Sequence, residues 1–404
     1  MQLSGVPLPE RTHPVSGLSP FARTLVALLV ITAPVLAGVL PDDRADLLWH
    51  VYNGGDITVE GPELLVRKKV GDSLSLTAGY YEDMISSASI DVKLSASPYH
   101  EVRKQENVGA DYQHGKTTYT VGYIHSREPD YIADTTFYSV SQDMFGDLTT
   151  VTMGYKRAWD NVYRDIKDPQ GQIINDPTFH QQADHRGYSL SVSQILTRNA
   201  ILGLNYELLT DEGYLANPYR KIRYLSPGVG EGFTLADQVY PNTRTSNAVS
   251  AQLKYYLPYR AALTGEYRYY TDTWGVVAHT LEFDYTHPAW KHWIFDGSLR
   301  FYKQTHADFY SDLFPRADYQ NFMARDRELA AFDDYTVGIG ATYEFHVLSA
   351  PWINKSTANF KVEHLTVDYS DFRNALLASE YGAGNEPLYR LNANIFQAFV
   401  SIWF

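Results

Sequence analysis

Most of the chain alternates between apolar and polar residues in segments of about ten residues. In residues 74–80, Leu74, Leu76 and Ala78 form one face, and Ser75, Thr77 and Gly79 form the other. The same alternation recurs in residues 118–123, 188–193, 202–207, 249–255, 293–301 and 337–344. Side chains of a β-strand point alternately to opposite sides, so this pattern predicts strands with one apolar face.

A soluble sandwich and a membrane barrel both alternate, but three features favour the barrel. The second face is small and polar, as in a barrel lumen, and the chain ends on the aromatic strand of residues 400–404. Aromatic residues also gather at segment ends, as interfacial girdles require: Tyr255, Tyr256, Tyr269, Tyr270, Trp290, Trp293, Tyr343 and Trp403. We therefore predict an all-β fold, a transmembrane antiparallel up-and-down β-barrel.

Connections of two lengths separate the strands. Short turns are predicted near residues 70–72, 114–116, 145–147, 197–199 and 257–259, and long polar loops near 83–103, 160–184, 211–243, 303–334 and 370–390. Outer-membrane barrels have short periplasmic turns and long extracellular loops. We predict about 14–16 strands, with the barrel over residues 47–404. Sixteen requires a short first strand from Leu47, and residues 361–367, which alternate poorly, as another.

The N-terminus has the layout of a secretory signal. Arg23 precedes the apolar run of residues 24–37, which is shorter than the ~20 residues of a membrane helix and ends in small residues. We predict a signal peptide over residues 1–37 and a short periplasmic segment over residues 38–46. The protein is then exported to the bacterial outer membrane, with the lipid and the barrel-assembly machinery as partners.

Composition excludes several kinds of chemistry. The 404 residues include no Cys, which rules out disulfides, Cys-ligated metal and a thiol nucleophile. The formal net charge of -13 argues against nucleic acid as a partner. No cofactor or metal motif is recognisable, and the chain is not expected to be an enzyme. A rim hydrolase built on residues such as His125 and Ser126 is the least favoured alternative, because no spacing selects a catalytic set.

Two segments carry a family resemblance. Residues 54–68 (GGDITVEGPELLVRK) and, more specifically, residues 80–92 (YYEDMISSASIDV) resemble a family of Gram-negative outer-membrane barrels known as a domain of unknown function. Residues 99–109 and 111–112 also fit, and the resemblance extends from about residue 42 to residue 404. It implies the same barrel, no known catalytic residues, and a periplasmic redox or lipoprotein partner encoded nearby.

Charged residues on the polar face of the central strands are candidates for setting selectivity in the lumen. They are Glu207, Lys254, Glu266, Arg268, Glu282, Asp284, Asp296 and Arg300. Opposed charges across a channel orient or filter ions, but a salt-bridged network bracing a closed barrel explains them equally well.

The first long loop is a second candidate, because its small residues would let it fold into the lumen as a constriction. The residues concerned are Glu82, Asp83, Ser86, Ser87, Ser89 and Asp91, and close structural packing of the loop is the simpler explanation. Trp403 and Phe404 form the candidate assembly signal. Two functions follow: a passive pore for small polar solutes, or a scaffold for a periplasmic redox or lipoprotein partner.

Overall fold

The computed structural model describes residues 40–404, except residues 88–93, 95–98, 170, 171, 348 and 349. The predicted signal peptide, Ser89 and Asp91 lie outside the described residues. No helix in the described part of the chain is long and apolar enough to cross a membrane.

Sixteen antiparallel strands form one closed barrel. They are β1 (Arg44–Gly54), β2 (Ile57–Val70), β3 (Leu74–Ser87), β4 (Tyr99–His114), β5 (Thr117–Arg127), β6 (Tyr131–Met144), β7 (Thr149–Lys167), β8 (Ile173–Thr197), β9 (Ala200–Gly213), β12 (Thr243–Tyr256), β13 (Ala262–Asp272), β14 (Val277–Ala289), β15 (Trp293–Gln304), β16 (Phe332–Phe345), β17 (Lys355–Arg373) and β18 (Leu388–Trp403). A separate hairpin, β10 (Lys221–Leu225) and β11 (Phe233–Asp237), lies between β9 and β12. The short helix α1 (Ala378–Tyr381) lies between β17 and β18.

The barrel closes where the first strand meets the last. β1 pairs with β18 along its whole length, from Arg44 opposite Trp403 to Gly54 opposite Ala393. The larger of the two predicted strand numbers is confirmed, because both doubtful segments are strands. The first strand begins at Arg44 rather than Leu47, and residues 361–367 lie inside β17.

The outward face carries an apolar band between two aromatic girdles, which identifies an outer-membrane barrel. Near the outer edge, Tyr269 of β13 packs against His279 of β14 at a centroid distance of 5.3 Å. Near the periplasmic edge, Trp293 packs against Tyr343 at 4.9 Å. The predicted aromatic residues divide between the two faces, since register places Tyr255 and Tyr269 outward but Tyr256 and Tyr270 inward.

The predicted short turns are confirmed, whereas two predicted long loops are shorter than expected. β3 continues to Ser87 and β4 starts at Tyr99, so the first loop is narrower than residues 83–103. Residues 160–184 are mostly a tall hairpin of β7 and β8 that rises above the membrane band. Apolar and polar side chains are mixed there without strict alternation, with Val162 and Ala183 buried and Ile173 and Ile174 exposed, which is why sequence periodicity did not show the strands.

The remaining three long loops fold over the outer mouth of the barrel. We call residues 214–242, 305–331 and 374–387 together the cap. Backbone hydrogen bonds join its parts, from Leu225 N to the Phe314 oxygen at 2.8 Å and from Met323 N to the Val239 oxygen at 2.8 Å. The main hydrophobic core of the molecule lies where the cap meets the upper barrel wall.

Candidate functional site: the lumen and its cap

Strand register places all eight predicted lumen residues on the inward face of five adjacent strands. Glu207 lies on β9, Lys254 on β12, Glu266 and Arg268 on β13, Glu282 and Asp284 on β14, and Asp296 and Arg300 on β15. Directly opposite positions on paired strands share a face, so these side chains form one charged stripe.

Hydrogen bonds connect much of the stripe. Arg268 Nη2 donates to Glu207 Oε2 at 2.7 Å, and Gln252 Nε2 donates to Glu266 Oε2 at 2.8 Å. Asp296 accepts a hydrogen bond from the Thr286 hydroxyl at 2.7 Å. The side chains of Glu207 and Arg268 remain 19% and 28% exposed, so this ion pair is in contact with the interior space of the barrel.

Like charges also face each other in the stripe. Glu266 lies opposite Glu282, which in turn lies opposite Arg300. Directly opposed carboxylates are unfavourable unless water or a cation separates them. The same Arg300 donates from Nη1 to Asp334 Oδ1 at 3.0 Å.

The wall next to the stripe, formed by β7 and β8, is small and neutral towards its periplasmic end. The inward positions of β7 and β8 below the cap include Thr150, Thr152, Gly154, Ser189, Ser191 and Ser193. Above these residues Lys156 also points inward, opposite Gly187. Together with the charged stripe, they give β7–β9 and β12–β15 a continuous polar surface, as expected of a hydrated interior.

The predicted constriction residues divide between the two faces of β3. Glu82 and Ser86 lie on its outward face, while Asp83 points inward. Asp83 accepts hydrogen bonds from Tyr81 Oη and from His50 Nε2, each at 2.8 Å. These residues do not form a shared constriction, and of Ser87 only its strand position is described.

A network of buried charges in the cap is the feature that sequence reasoning missed. Arg223, which is fully buried, pairs with Asp312 and Glu386 from two other parts of the cap. Arg325 Nη2 lies 2.9 Å from Asp312 Oδ1 and also donates to the Arg373 carbonyl oxygen at 2.9 Å. We call Arg223, Arg325, Asp312 and Glu386 the latch.

The ionisation states of the latch follow from its contacts. Burial alone would lower the pKa of Arg223, but the hydrogen bond to Glu386 and the charge of Asp312 raise it. Burial would raise the pKa of Glu386, but its hydrogen bond from Arg223 lowers it. Both groups are therefore charged at neutral pH. The latch residues are far apart in sequence, by 163 positions for Arg223 and Glu386, and no local signal pairs them.

Three carboxylates meet at the rim between β4 and β6. Ligand oxygens of Glu101, Glu128 and Asp130 all lie within 4.8 Å of one another. Arg103 Nε lies 3.9 Å from Glu128 Oε1. Burial raises the pKa of Asp130 to about 6, while its hydrogen bond from Tyr219 opposes that shift.

The predicted rim residues for a hydrolase do not converge. His125 lies on the outward face of β5, where its Nδ1 is 2.8 Å from Asp134 Oδ1. Ser126 lies on the inward face and accepts a hydrogen bond from Arg103 Nε at 3.0 Å. The nucleophile and base are therefore on opposite sides of the wall.

The C-terminal residues pack against the start of the first strand. Phe404 N donates to the Asp43 carbonyl oxygen at 3.2 Å, and the Phe404 ring lies 5.1 Å from Lys68 Nζ. The Trp403 ring lies 5.8 Å from the Arg44 guanidinium carbon. Their role as an assembly signal stays a prediction.

Comparisons with known proteins give a family and a set of distant folds. Residues 90–371, more than half of the chain, match the model described as "Protein of unknown function (DUF3570)". No curated protein matches the chain.

Among solved structures, "Bacterial polysaccharide outer membrane secretin" is 8% identical with a TM-score of 0.47, covering 90% of this chain and 100% of that one. "CymD monoaromatic hydrocarbon channel" is 9% identical with a TM-score of 0.42, covering 90% and 89%. A Pseudomonas aeruginosa FadL homologue is 10% identical with a TM-score of 0.39, covering 90% and 91%. The match over residues 90–371 confirms the resemblance in the sequence, and the chain belongs to the DUF3570 family of outer-membrane barrel proteins of unknown function.

Proposed function

We propose that the protein is a passive outer-membrane pore for small polar solutes, exported by its N-terminal signal. The observation that carries this proposal is the polar lumen below the cap. A charged stripe on β9 and β12–β15 adjoins a Ser, Thr and Gly wall on β7 and β8. Such a surface interacts well with water and hydrated ions.

Enzymatic activity is not part of this proposal. Two observations support this choice. His125 and Ser126 lie on opposite faces of the wall. Carboxylates of the stripe, such as Glu207 and Asp296, already accept hydrogen bonds from neighbouring side chains. Charged side chains in a hydrated lumen are expected of a pore and do not require a catalytic role.

The test is ion selectivity in planar bilayers. Glu266→Gln and Asp296→Asn should shift the potassium-to-chloride permeability ratio toward chloride, and Arg268→Gln toward potassium, each by roughly twofold. A lumen charge acts on permeating ions through a poorly screened field, so the sign of each shift follows the sign of the charge removed. Reversal potentials in a salt gradient give the ratio.

Glu212→Gln is the matched control, because Glu212 lies on the outward face at the rim and its side chain is 58% exposed. If the protein does not conduct because the cap closes the barrel, the same substitutions are compared after residues 306–328 are replaced by a short Gly-Ser linker. Unchanged selectivity in all three lumen variants would remove these residues from the conducting path.

A scaffold for a periplasmic redox or lipoprotein partner is the second candidate. The cap favours it, because a barrel closed on the outside presents its lumen to the periplasm alone. Copurification of a periplasmic protein with a folded barrel that does not conduct after removal of the cap would support this alternative.

A further inference from the structure

The cap spans the interior of the barrel from wall to wall. One continuous hydrophobic cluster contains Ala183 of β8 and Ala393 of β18, together with Ala307, Phe309 and Leu329 of the cap. β8 and β18 are eight strands apart in a ring of sixteen, so these residues lie on opposite walls. Ala307 and Ala330 are fully buried. This layer therefore lies across the path that a solute would take through the barrel.

The latch holds the three parts of the cap to one another. Arg223 comes from the β10–β11 hairpin, Asp312 from residues 305–331, and Glu386 from residues 374–387. Arg223 Nε also donates to the Asp312 carbonyl oxygen at 2.9 Å. Arg325 ties the same loop to the wall, through the carbonyl oxygen of Arg373 at the top of β17.

Two properties distinguish this cap from a permanent filling. Its hairpin, β10 and β11, forms a sheet separate from the barrel, so the cap can move without breaking strand pairs of the wall. Its centre is a set of buried ion pairs, which are a poor source of stability because each charge loses its hydration on closing. These charges recover that hydration on opening, which offsets part of the free energy lost when the apolar contacts between the cap and the wall separate.

We propose that the cap is a gate, kept shut by the latch, which must leave the barrel interior before solute passes. This inference rests on the proposed pore function and concerns its regulation. Neutralising one latch carboxylate leaves an uncompensated buried guanidinium charge in the closed state, whereas the open state exposes it to water.

The experiment compares two Asp→Asn substitutions in the same loop of the full chain. Asp312→Asn breaks the latch, and Asp318→Asn removes a carboxylate that is 89% exposed and pairs with Arg316 on the surface. Single-channel recording should show an open probability on the order of tenfold higher for Asp312→Asn than for wild type, with Asp318→Asn unchanged. Heat-modifiable mobility on gels verifies the folded barrel, and Glu386→Gln replaces Asp312→Asn if that variant does not fold.

The other outcomes overturn the gate in distinguishable ways. Equal open probability in wild type and both variants, with conduction in all, shows that the cap is not a gate while the pore function stands. Conduction only after residues 306–328 are replaced by a linker shows a cap that is not held by the latch. A folded barrel that is silent even without those residues contradicts the pore function, and the gate with it.

Discussion

At the level of single residues, the two segments that resemble the family in sequence lie beside a cluster of inward side chains. His50, Tyr81 and Asp83 form one inward cluster, in which the His50 and Tyr81 rings stack at 5.2 Å with 4° between their planes. Gly61, in the segment of residues 54–68, lies on β2 directly opposite His50. A Cβ there would lie 1.7 Å from the Glu82 carbonyl oxygen, so any larger residue would force the strands apart.

Asp130 gives a prediction about pH. Burial raises its pKa from 3.8 to about 6, so the folded state binds more protons than the unfolded state between these values. Stability contributed by this group is therefore present at low pH and is lost as pH rises through 6. Asp130→Asn should stabilise the barrel by roughly 1–3 kcal/mol at pH 8, and the gain should vanish near pH 4.

Urea unfolding of the detergent-folded protein at several pH values measures this difference. Asp318→Asn is the control, because that carboxylate is exposed and should show no such trend. A gain at pH 8 no larger than the gain at pH 4 would contradict the assignment of a raised pKa to Asp130.

Sequence reasoning at this scale found the charges of the lumen but not those of the cap. Period-two alternation assigns a face to each residue of a strand, which is why Glu207 to Arg300 were placed on the inward face. No comparable rule applies to Arg223 or Asp312. Arg223 lies in a strand of only five residues, Asp312 lies in an irregular loop, and the two are 89 positions apart. In the sequence, a charged residue that becomes buried in a loop cannot be distinguished from one that stays on the surface.

At the level of strands, the position of a segment relative to the membrane determines whether the sequence shows the alternation of a strand. Within the apolar band one face must be hydrophobic, and every predicted alternating segment lies in a strand. Above the band the outward face no longer has to be hydrophobic, so the upper halves of β7 and β8 lose the regular alternation and resemble a loop in the sequence. The short turns were predictable because their glycines and polar residues interrupt the alternation.

The two faces of β8 respond differently to charge. Leu190 faces lipid and is 42% exposed in the isolated chain, while its neighbour Ser189 faces the lumen opposite Glu207. Leu190→Lys should lower the free energy of unfolding by about 2 kcal/mol, because lysine loses hydration in the bilayer. Ser189→Lys should change it little.

Equilibrium unfolding in lipid vesicles measures both variants under the same conditions. Equal destabilisation of the two would mean that the lipid and lumen faces of β8 are not as the register places them. Greater destabilisation by Ser189→Lys would contradict the hydrated lumen directly.

For the whole molecule, closure of the sheet supplies a constraint that local patterns lack. Periodicity alone left the strand number between fourteen and sixteen, since one segment was short and another irregular. In the closed ring β1 pairs with β18, and β17 lies between β16 and β18, so both segments are needed as strands. The cap, in contrast, depends on contacts among three loops and two opposite walls, and a single sequence contains no signal for such an assembly.

The central claim is a barrel with a hydrated polar lumen that the cap closes to the exterior. It is tested most directly by thiol labelling, because the chain has no native cysteine. Ser189→Cys places a thiol in the lower lumen, and Arg316→Cys places one on the exposed surface of the cap. A membrane-impermeant maleimide is added to intact cells and, separately, to the purified protein in detergent.

The account predicts that Arg316→Cys is labelled in both settings, whereas Ser189→Cys is labelled in detergent and protected in intact cells. Labelling of Ser189→Cys from outside intact cells at the rate seen for Arg316→Cys would contradict the closed cap. Protection of Ser189→Cys in detergent as well would contradict the open, hydrated lumen.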